Sequence, residues 1–288
     1  MIIAKTVSEL RAYLVQRRAG GKHLAFVPTM GNLHAGHLKL IEVARKLADI
    51  VVASIYVNPL QFGANEDFDA YPRTPVDDCA ALEAQRVDLL FTPSDREMYP
   101  RGRETQTTVE VPGLSEMLCG AFRPGHFRGV ATAVNRLVNL VQPDLALFGK
   151  KDYQQLLVIR LMVSDLGMPV EIVGVETVRE HDGLAMSSRN NYLSPQERQA
   201  APRLYAVLGA VRDRILKERA SPAGAEQEAL AALAAAGFRP DYVSVRRQDD
   251  LGVPTPEDKK LVVLAAAWLG RMRLIDNLEF ETTGKIPV

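Results

Sequence analysis

The sequence predicts an α/β protein: a doubly wound parallel sheet followed by a smaller α+β domain. Three observations carry that prediction. Short apolar, β-branched runs alternate with amphipathic stretches over the first 175 residues, the pattern of parallel strands joined by helical crossovers. The alternation ends near residue 178, after which helical stretches come first and strand-like runs last. The length, 288 residues, suits two domains at about 150 residues each. The boundary is expected at residue 176, giving domains 1–176 and 177–288.

The opening MIIAKTVSEL reads as a short strand and then a helix entered at Thr6, with Glu9 three residues on to complete a capping box. Leu24–Thr29 is a buried strand, and Leu38–Ala48 a helix with Leu40, Ile41, Ala44 and Leu47 along one face. Ile50–Tyr56 is strand again, Pro75–Gln85 helix and Val87–Phe91 a short strand. A helix over Val130–Val141 precedes a strand at Leu145–Phe148, and a helix over Gln154–Leu166 precedes a strand at Val170–Val175. Sheets of this kind bind ligands outside the carboxyl ends of their strands, which directs attention to the residues following each strand. Past the boundary, Ser194-Pro195-Gln196-Glu197 combines an N-cap serine, an N1 proline and an N3 glutamate. The helix it opens is expected to reach Glu218, and a second, opened by Ser221-Pro222, to close near Gly237. Asp241–Arg246, Leu261–Trp268 and Met272–Glu279 follow as strands, with Trp268 expected in the core.

Apolar residues make up 47% and charged residues 24%, a mix that buries a core without staples at this length. Lys and Arg number 35 against 35 Asp and Glu. No global field is left to hold a polyanion, so neither nucleic acid nor an anionic membrane is expected as a partner, although a local basic pocket is allowed. Cys79 and Cys119 lie far apart without metal-ligand spacing and read as idle or buried thiols in a reducing compartment. The longest unbroken apolar run, Leu261–Leu269, is half the roughly 20 residues a bilayer span needs. The N-terminus lacks a basic segment followed by an apolar stretch and a cleavage site. A cytoplasmic location is therefore expected.

The sharpest local signal is Pro28-Thr29-Met30-Gly31-Asn32-Leu33-His34-Ala35-Gly36-His37, which ends a strand and opens a helix. A helix N-terminus offers unpaired backbone N–H groups and a partial positive charge, which together hold anions. Gly31 and Gly36 take away side-chain bulk there, and two imidazoles can donate to phosphate oxygens. A nucleotide site is the reading these residues favour. A structural cap is the plain alternative; a metal pair is another, but no third His, Cys or carboxylate stands nearby in sequence. No G-x-x-x-x-G-K-[ST], G-x-G-x-x-G or G-x-S-x-G occurs in these positions. Gly149-Lys150-Lys151-Asp152 again joins a strand to a helix, as suits a phosphate and a ribose, with a solvated lysine pair and an acidic cap as the alternative. Met186-Ser187-Ser188-Arg189 offers two hydroxyls beside a guanidinium, able to embrace a departing pyrophosphate, or to be only a polar loop.

His34-Ala35-Gly36-His37 with Met-Ser-Ser-Arg downstream resembles the nucleotidyltransferase superfamily shared with class I aminoacyl-tRNA synthetases. Six blocks in order, PTMGNLHAGH, YVNPLQFG, DFDAYPRT, RPGHFRGV, LFGKKDYQQL and GLAMSSRNNYLS, resemble more specifically the pantothenate synthetase (pantoate–β-alanine ligase) family, from about residue 3 to residue 205. The resemblance implies a Rossmann-like nucleotidyltransferase domain with a smaller lid domain, and an AMP-forming ligase. ATP, pantoate and β-alanine would be its substrates, pantoyl adenylate its intermediate, and pantothenate, AMP and pyrophosphate its products. It implies a homodimer, and Mg²⁺ held mainly through ATP's phosphates, with no protein metal ligand assigned. Neither step of such a reaction needs a protein nucleophile, so the site should position groups and neutralise charge.

Carried over position by position, the resemblance gives ATP the turn Met30, Gly31, Asn32, Leu33, His34, Ala35, Gly36 and His37. It adds Gly149, Lys150, Lys151 and Asp152, the backbone of Val178, and the loop Met186, Ser187, Ser188 and Arg189. His37, His34, Lys151 and Arg189 would be catalytic, and Gln61, Gln155 and Asn58 would bind pantoate. Amides suit that substrate because each offers both donors and an acceptor. Tyr71, Arg123 and His126 would line the entrance or serve the structure. Asp77 and Asp78 could approach Mg²⁺, or only complement a helix dipole. Three rivals remain at this stage: another nucleotidyltransferase of the same fold, a tRNA-charging fragment, and a non-catalytic nucleotide sensor.

Overall fold

The computed structural model describes residues 1–63, 66 and 68–287; Asp67, the first residue of DFDAYPRT, lies outside them. The chain forms two compact units, one of Met1–Lys150 with Gln155–Glu176, the other of Lys151–Gln154 with the chain from Thr177 onward.

The first unit is built on six parallel strands: β1 (Ile2–Ala4), β2 (Leu24–Thr29), β3 (Ile50–Ile55), β4 (Leu89–Phe91), β5 (Leu145–Gly149) and β6 (Glu171–Val175), in the order β1-β4-β3-β2-β5-β6. Ala25, Val27, Val51, Ala53, Leu90 and Leu147 are buried on them, as expected of strands covered by helices on both faces. From β2 the chain steps one way to β3 and β4 and the other way to β5 and β6. The crevice between the carboxyl ends of β2 and β5 is therefore the topological switch point, the place where such sheets hold ligands.

Local rules explain the helix boundaries. Thr6 and Glu9 make the capping box that starts Val7–Arg17, and the helix after β2 spans Ala35–Leu47 with His34 as its N-cap. The helix before β5 starts earlier than periodicity suggests, at His126 rather than Val130, because Gly125 is left-handed and turns the chain in at that point. Gly129 then allows a close approach. A β-carbon there would lie 2.0 Å from the carbonyl oxygen of Leu60 and 2.7 Å from the Gln61 nitrogen, so only glycine lets this helix rest on the single turn Pro59–Gln61.

The second unit has an antiparallel sheet of β7 (Arg239–Arg247), β8 (Lys260–Leu269) and β9 (Met272–Glu281). The sheet packs on Arg203–Lys217 and Pro222–Ala235 through Leu204, Leu208, Val211, Leu233, Val263 and Phe280. Two sequence expectations need correction here. The helix opened at Ser194 does not run to Glu218: it ends at Ala200, and a second begins at Arg203. Pro202 lies at the break, where it lacks an N–H and its ring crowds the preceding turn. Trp268 is not in the core but half-buried; its indole N–H donates to Asp241 at 3.1 Å and Arg239 lies over its ring. A polar partner at one end of the ring is the usual reason a tryptophan sits at the edge of a core.

Candidate active site

In the first unit the turn after β2 is ordered from two directions. Gly31 has φ +80°, and a β-carbon on it would come within 3.0 Å of Asp78 and 3.1 Å of Ile55, so this position requires glycine. Asp78, buried at 2% exposure, accepts from the backbone N–H of Asn32 at 3.0 Å and of Leu33 at 2.8 Å. A carboxylate 46 residues downstream thus fixes the peptide planes entering the helix. Both its oxygens are engaged in this way, which makes it a scaffold for the turn and a poor metal ligand. In sequence Asp78 reads as a dipole complement or an approach to Mg²⁺; the pairing depends on the fold, and no local motif signals it.

His34 and His37 cap the helix reciprocally. His34 Nδ1 accepts from Gly36 N at 3.1 Å, and His37 Nδ1 accepts from His34 N at 3.3 Å. The rings lie 4.1 Å apart, centroid to centroid. Because each Nδ1 receives an N–H, the neutral form of each ring carries its proton on Nε2. The cap reading and the functional reading are therefore compatible: one nitrogen of each ring builds the helix start, and the other is a donor. Thr29 Oγ donates to Ser54 O at 2.8 Å and accepts from Gly31 N, joining the turn to β3.

Asn58, Gln61 and Met30 are brought together beside this turn. Asn58, 1% exposed, donates from Nδ2 to Gln61 Oε1 and to Gly129 O, each at 3.1 Å. Its Oδ1 accepts from Leu60 N at 3.2 Å and from the Tyr99 hydroxyl at 2.7 Å. Gln61 Nε2 meets Met30 Sδ at 2.9 Å. An asparagine amide has two donors and two acceptor sites, and all four are used, so Asn58 supports the site rather than offering a group to a ligand. Arg123 grips Glu66 with Nε at 2.7 Å and Nη2 at 2.5 Å, and His126 Nδ1 lies 2.8 Å from Gln61 O. A carbonyl can only accept, so Nδ1 of that ring bears the proton and Nε2 faces Arg123 Nη1, 3.0 Å away. Burial raises the Glu66 carboxyl, but the Arg123 hydrogen bonds and charge outweigh it and hold the group below its ordinary range. Tyr71 is buried edge-on against Phe62. At the neighbouring switch-point strand, Gly149 ends β5 and Lys150 pairs with Glu176 at 2.6 Å. Gln155 lies half-buried in the first turn of the helix Tyr153–Asp165.

The second unit holds the remaining candidates. Lys151 belongs to it: its carbonyl accepts from Asn277 Nδ2 of β9 at 2.9 Å, and the hydroxyl of Tyr153, two residues on, lies 3.1 Å from both Gln248 O and Glu279 Oε1, which share its one proton. Asp152 is exposed. Val178 accepts from Met186 N at 2.9 Å, which ties the Met186–Arg189 loop to its own base. Ser187 Oγ accepts from Arg189 N, and Asn190 donates back to Ala185 O. Under this loop, Arg179 makes a bidentate pair with Asp276 at 2.7 and 3.0 Å and stacks on Tyr205 at 3.4 Å. Asp276 is 4% exposed, and it too has no sequence motif around it.

The arrangement favours anions at a helix N-terminus, with imidazole and amide donors around it. Comparison with known proteins is consistent in one direction. The family profile described as pantoate-beta-alanine ligase matches residues 2–279. A pantothenate synthetase from Shewanella amazonensis is 61% identical over 281 residues, spanning 98% of this chain and 100% of that one. One from Chromobacterium violaceum is 60% identical over 97% of this chain and 99% of its own length. The crystal structure of pantothenate synthetase from Thermus thermophilus superposes with a TM-score of 0.90 at 50% identity, covering 96% of this chain and 99% of that one. The Francisella tularensis pantoate-beta-alanine ligase, solved with beta-gamma ATP and beta-alanine, superposes at 0.81 with 31% identity, covering 96% and 97%. With a profile match over nearly its whole length and relatives this similar, the chain belongs to the pantoate-beta-alanine ligase family.

Proposed function

We propose that this ligase activates pantoate as an acyl adenylate at the carboxyl edge of its parallel sheet and passes the acyl group to β-alanine. Joining pantoate to β-alanine is the family's reaction; the route and the residue roles are our reading. The pantoate carboxylate attacks the α-phosphorus of ATP, the bond to the β-phosphate oxygen breaks, and pyrophosphate leaves. The amine of β-alanine then attacks the acyl carbon of pantoyl adenylate and loses a proton, and AMP departs as pantothenate forms. Adenylation exchanges a poor leaving group for a good one, so the protein needs no nucleophile of its own.

The observation that carries this reading is the reciprocal cap of His34 and His37. With each Nδ1 engaged, the neutral rings carry their protons on Nε2 at a helix N-terminus, and on our reading these donors serve the negative charge that gathers as pyrophosphate leaves. On this reading Met30–His37 and Gly149–Asp152 cradle ATP, with Lys151 and Arg189 neutralising its phosphates and Val178 meeting the base through its backbone. Gln61 and Gln155 hold pantoate, and Asn58 serves by holding Gln61. The Met186–Arg189 loop, carried by the second unit, serves the triphosphate on this reading. Binding of ATP and β-alanine by the Francisella tularensis relative supports both as substrates here.

Mg²⁺ fits as an ion carried in by the nucleotide. Among the described residues no group of three or more His, Cys, Asp or Glu gathers to hold a metal, while triphosphate oxygens and water suit Mg²⁺ well. Bound there, it would neutralise the charge of the leaving pyrophosphate. No helix among the described residues is long and apolar enough to cross a membrane. We place the reaction in the cytoplasm and the enzyme as a homodimer, the latter on the family resemblance; mass measured by light scattering during gel filtration tests it.

The deciding experiment is ATP–pyrophosphate exchange with Mg²⁺ and pantoate and without β-alanine. Exchange that requires pantoate is expected, followed by AMP and pantothenate once β-alanine is added. No exchange, with AMP also missing when all three substrates are present, would overturn the adenylate route.

A further inference from the structure

Gln61 presents one end of its amide and not the other, and the cause lies behind it. Asn58 is oriented by two groups whose roles are chemically fixed: Leu60 N can only donate, and it faces Asn58 Oδ1; Gly129 O can only accept, and it faces Nδ2. The second hydrogen on Asn58 Nδ2 therefore goes to Gln61 Oε1, and Gln61 Nε2 is turned toward the turn after β2. There it rests on Met30 Sδ at 2.9 Å. A thioether is a weak acceptor, so a carboxylate or hydroxyl oxygen of substrate would displace it readily.

Of the four hydrogen bonds that Asn58 makes, the shortest is the one from Tyr99, whose hydroxyl donates to Asn58 Oδ1 at 2.7 Å, against 3.2 Å for Leu60 N. Tyr99 is 2% exposed, and burial pushes its phenol well above the usual value, so it stays protonated as a donor. It stands at the end of a short helix, Asp95–Met98, 41 residues from Asn58 in sequence. Its ring packs edge-on against Tyr56, centroids 6.2 Å apart. Tyr56 donates to Asp95 at 2.9 Å and its hydroxyl also meets that of Tyr99, and Asp95 pairs with Arg103.

We propose that Tyr99 is a positioning residue for the acyl substrate: through Asn58 it holds Gln61 with its amide nitrogen presented to pantoate's oxygens. Tyr99 touches no substrate itself. The inference rests on the reading of Gln61 as a pantoate ligand. It makes the binding of pantoate, and not of ATP, depend on a buried hydroxyl two residues removed from the ligand.

The test measures pantoate-dependent ATP–pyrophosphate exchange. Tyr99→Phe keeps the ring and loses the donor, and KM for pantoate is expected to rise about 3- to 10-fold, the scale of one lost buried hydrogen bond, with KM for ATP unchanged. Asn58→Ser severs the relay at its middle and should raise KM for pantoate; adding Tyr99→Phe to it should add nothing further, since a residue acting only through Asn58 has no path left. Unchanged KM for pantoate in Tyr99→Phe, or additive effects in the double variant, would overturn the proposal. Gln61→Ala separates the two levels. If it leaves KM for pantoate unchanged, the reading of Gln61 is wrong; if it raises that KM while Tyr99→Phe does not, only the relay is wrong.

Discussion

His37 serves two ends with one ring. Its Nδ1 accepts the His34 N–H, so the neutral ring carries its proton on Nε2. Replacing it with alanine costs on the order of 1 kcal/mol at the helix start, while removing an acid-base group or phosphate donor lowers exchange by about 10²–10⁴-fold. We expect His37→Ala to remain folded and to bind ATP, with turnover lost in the exchange assay; an active variant would return the pair to a purely structural role. Asp78 makes the opposite case, a residue with no chemistry of its own on which the turn after β2 depends. In Asp78→Asn one amide hydrogen faces a backbone N–H of Asn32 or Leu33. An unsatisfied buried donor costs about 1–3 kcal/mol, so a lower melting temperature and a raised KM for ATP are expected, with KM for pantoate unchanged.

Among the elements, the helix His126–Val141 and the turn Pro59–Gln61 approach closely, and Gly129 sets the distance. Gly129→Ala puts a methyl 2.0 Å from a carbonyl oxygen, so the helix must move off. Overpacking of this kind costs about 1–3 kcal/mol, and because Gly129 O holds Asn58, KM for pantoate should rise together with the loss of stability. The same helix start is tied down by the Arg123–Glu66 pair. The Glu66 carboxyl titrates below its unfolded value, so the tie contributes fully above the ordinary carboxylate range near about 4.3 and is lost as pH falls through the depressed value. Melting temperature followed down an acid series should fall less steeply in Glu66→Gln than in the parent chain. At this scale most of the fold could be read from the residues alone. Leu24–Thr29 is strand as expected, and capping at Thr6, Ser194 and Ser221 marks true helix starts. The turn after β2 stands out in the sequence because its glycines and histidines are adjacent. What escaped were features made by distance: Asp78 reaching back 46 residues, Tyr99 reaching 41, Asp276 meeting Arg179 across 97. Pro202 was legible in principle, yet a strong cap upstream and a long helical pattern masked the break it makes.

For the molecule as a whole, the path of the chain matters as much as its layers. It leaves the first unit after Lys150, spends four residues in the second, returns at Gln155, and crosses for good after Glu176. Those four residues are held in the second unit by Asn277 on the Lys151 carbonyl and by Tyr153 on Gln248 and Glu279. Cutting the gene between Glu176 and Thr177 would thus not cut the protein in two. The longer fragment keeps a plug that completes the shorter one, much as a donated strand completes another subunit's sheet, and the shorter fragment alone exposes the socket. Tagged halves made together should copurify, and halves made separately should not stay soluble alone; Tyr153→Ala in the longer half should weaken the pairing. An enzyme wired in this way can be divided into a two-part reporter at a site the bare sequence marks only as a change of pattern.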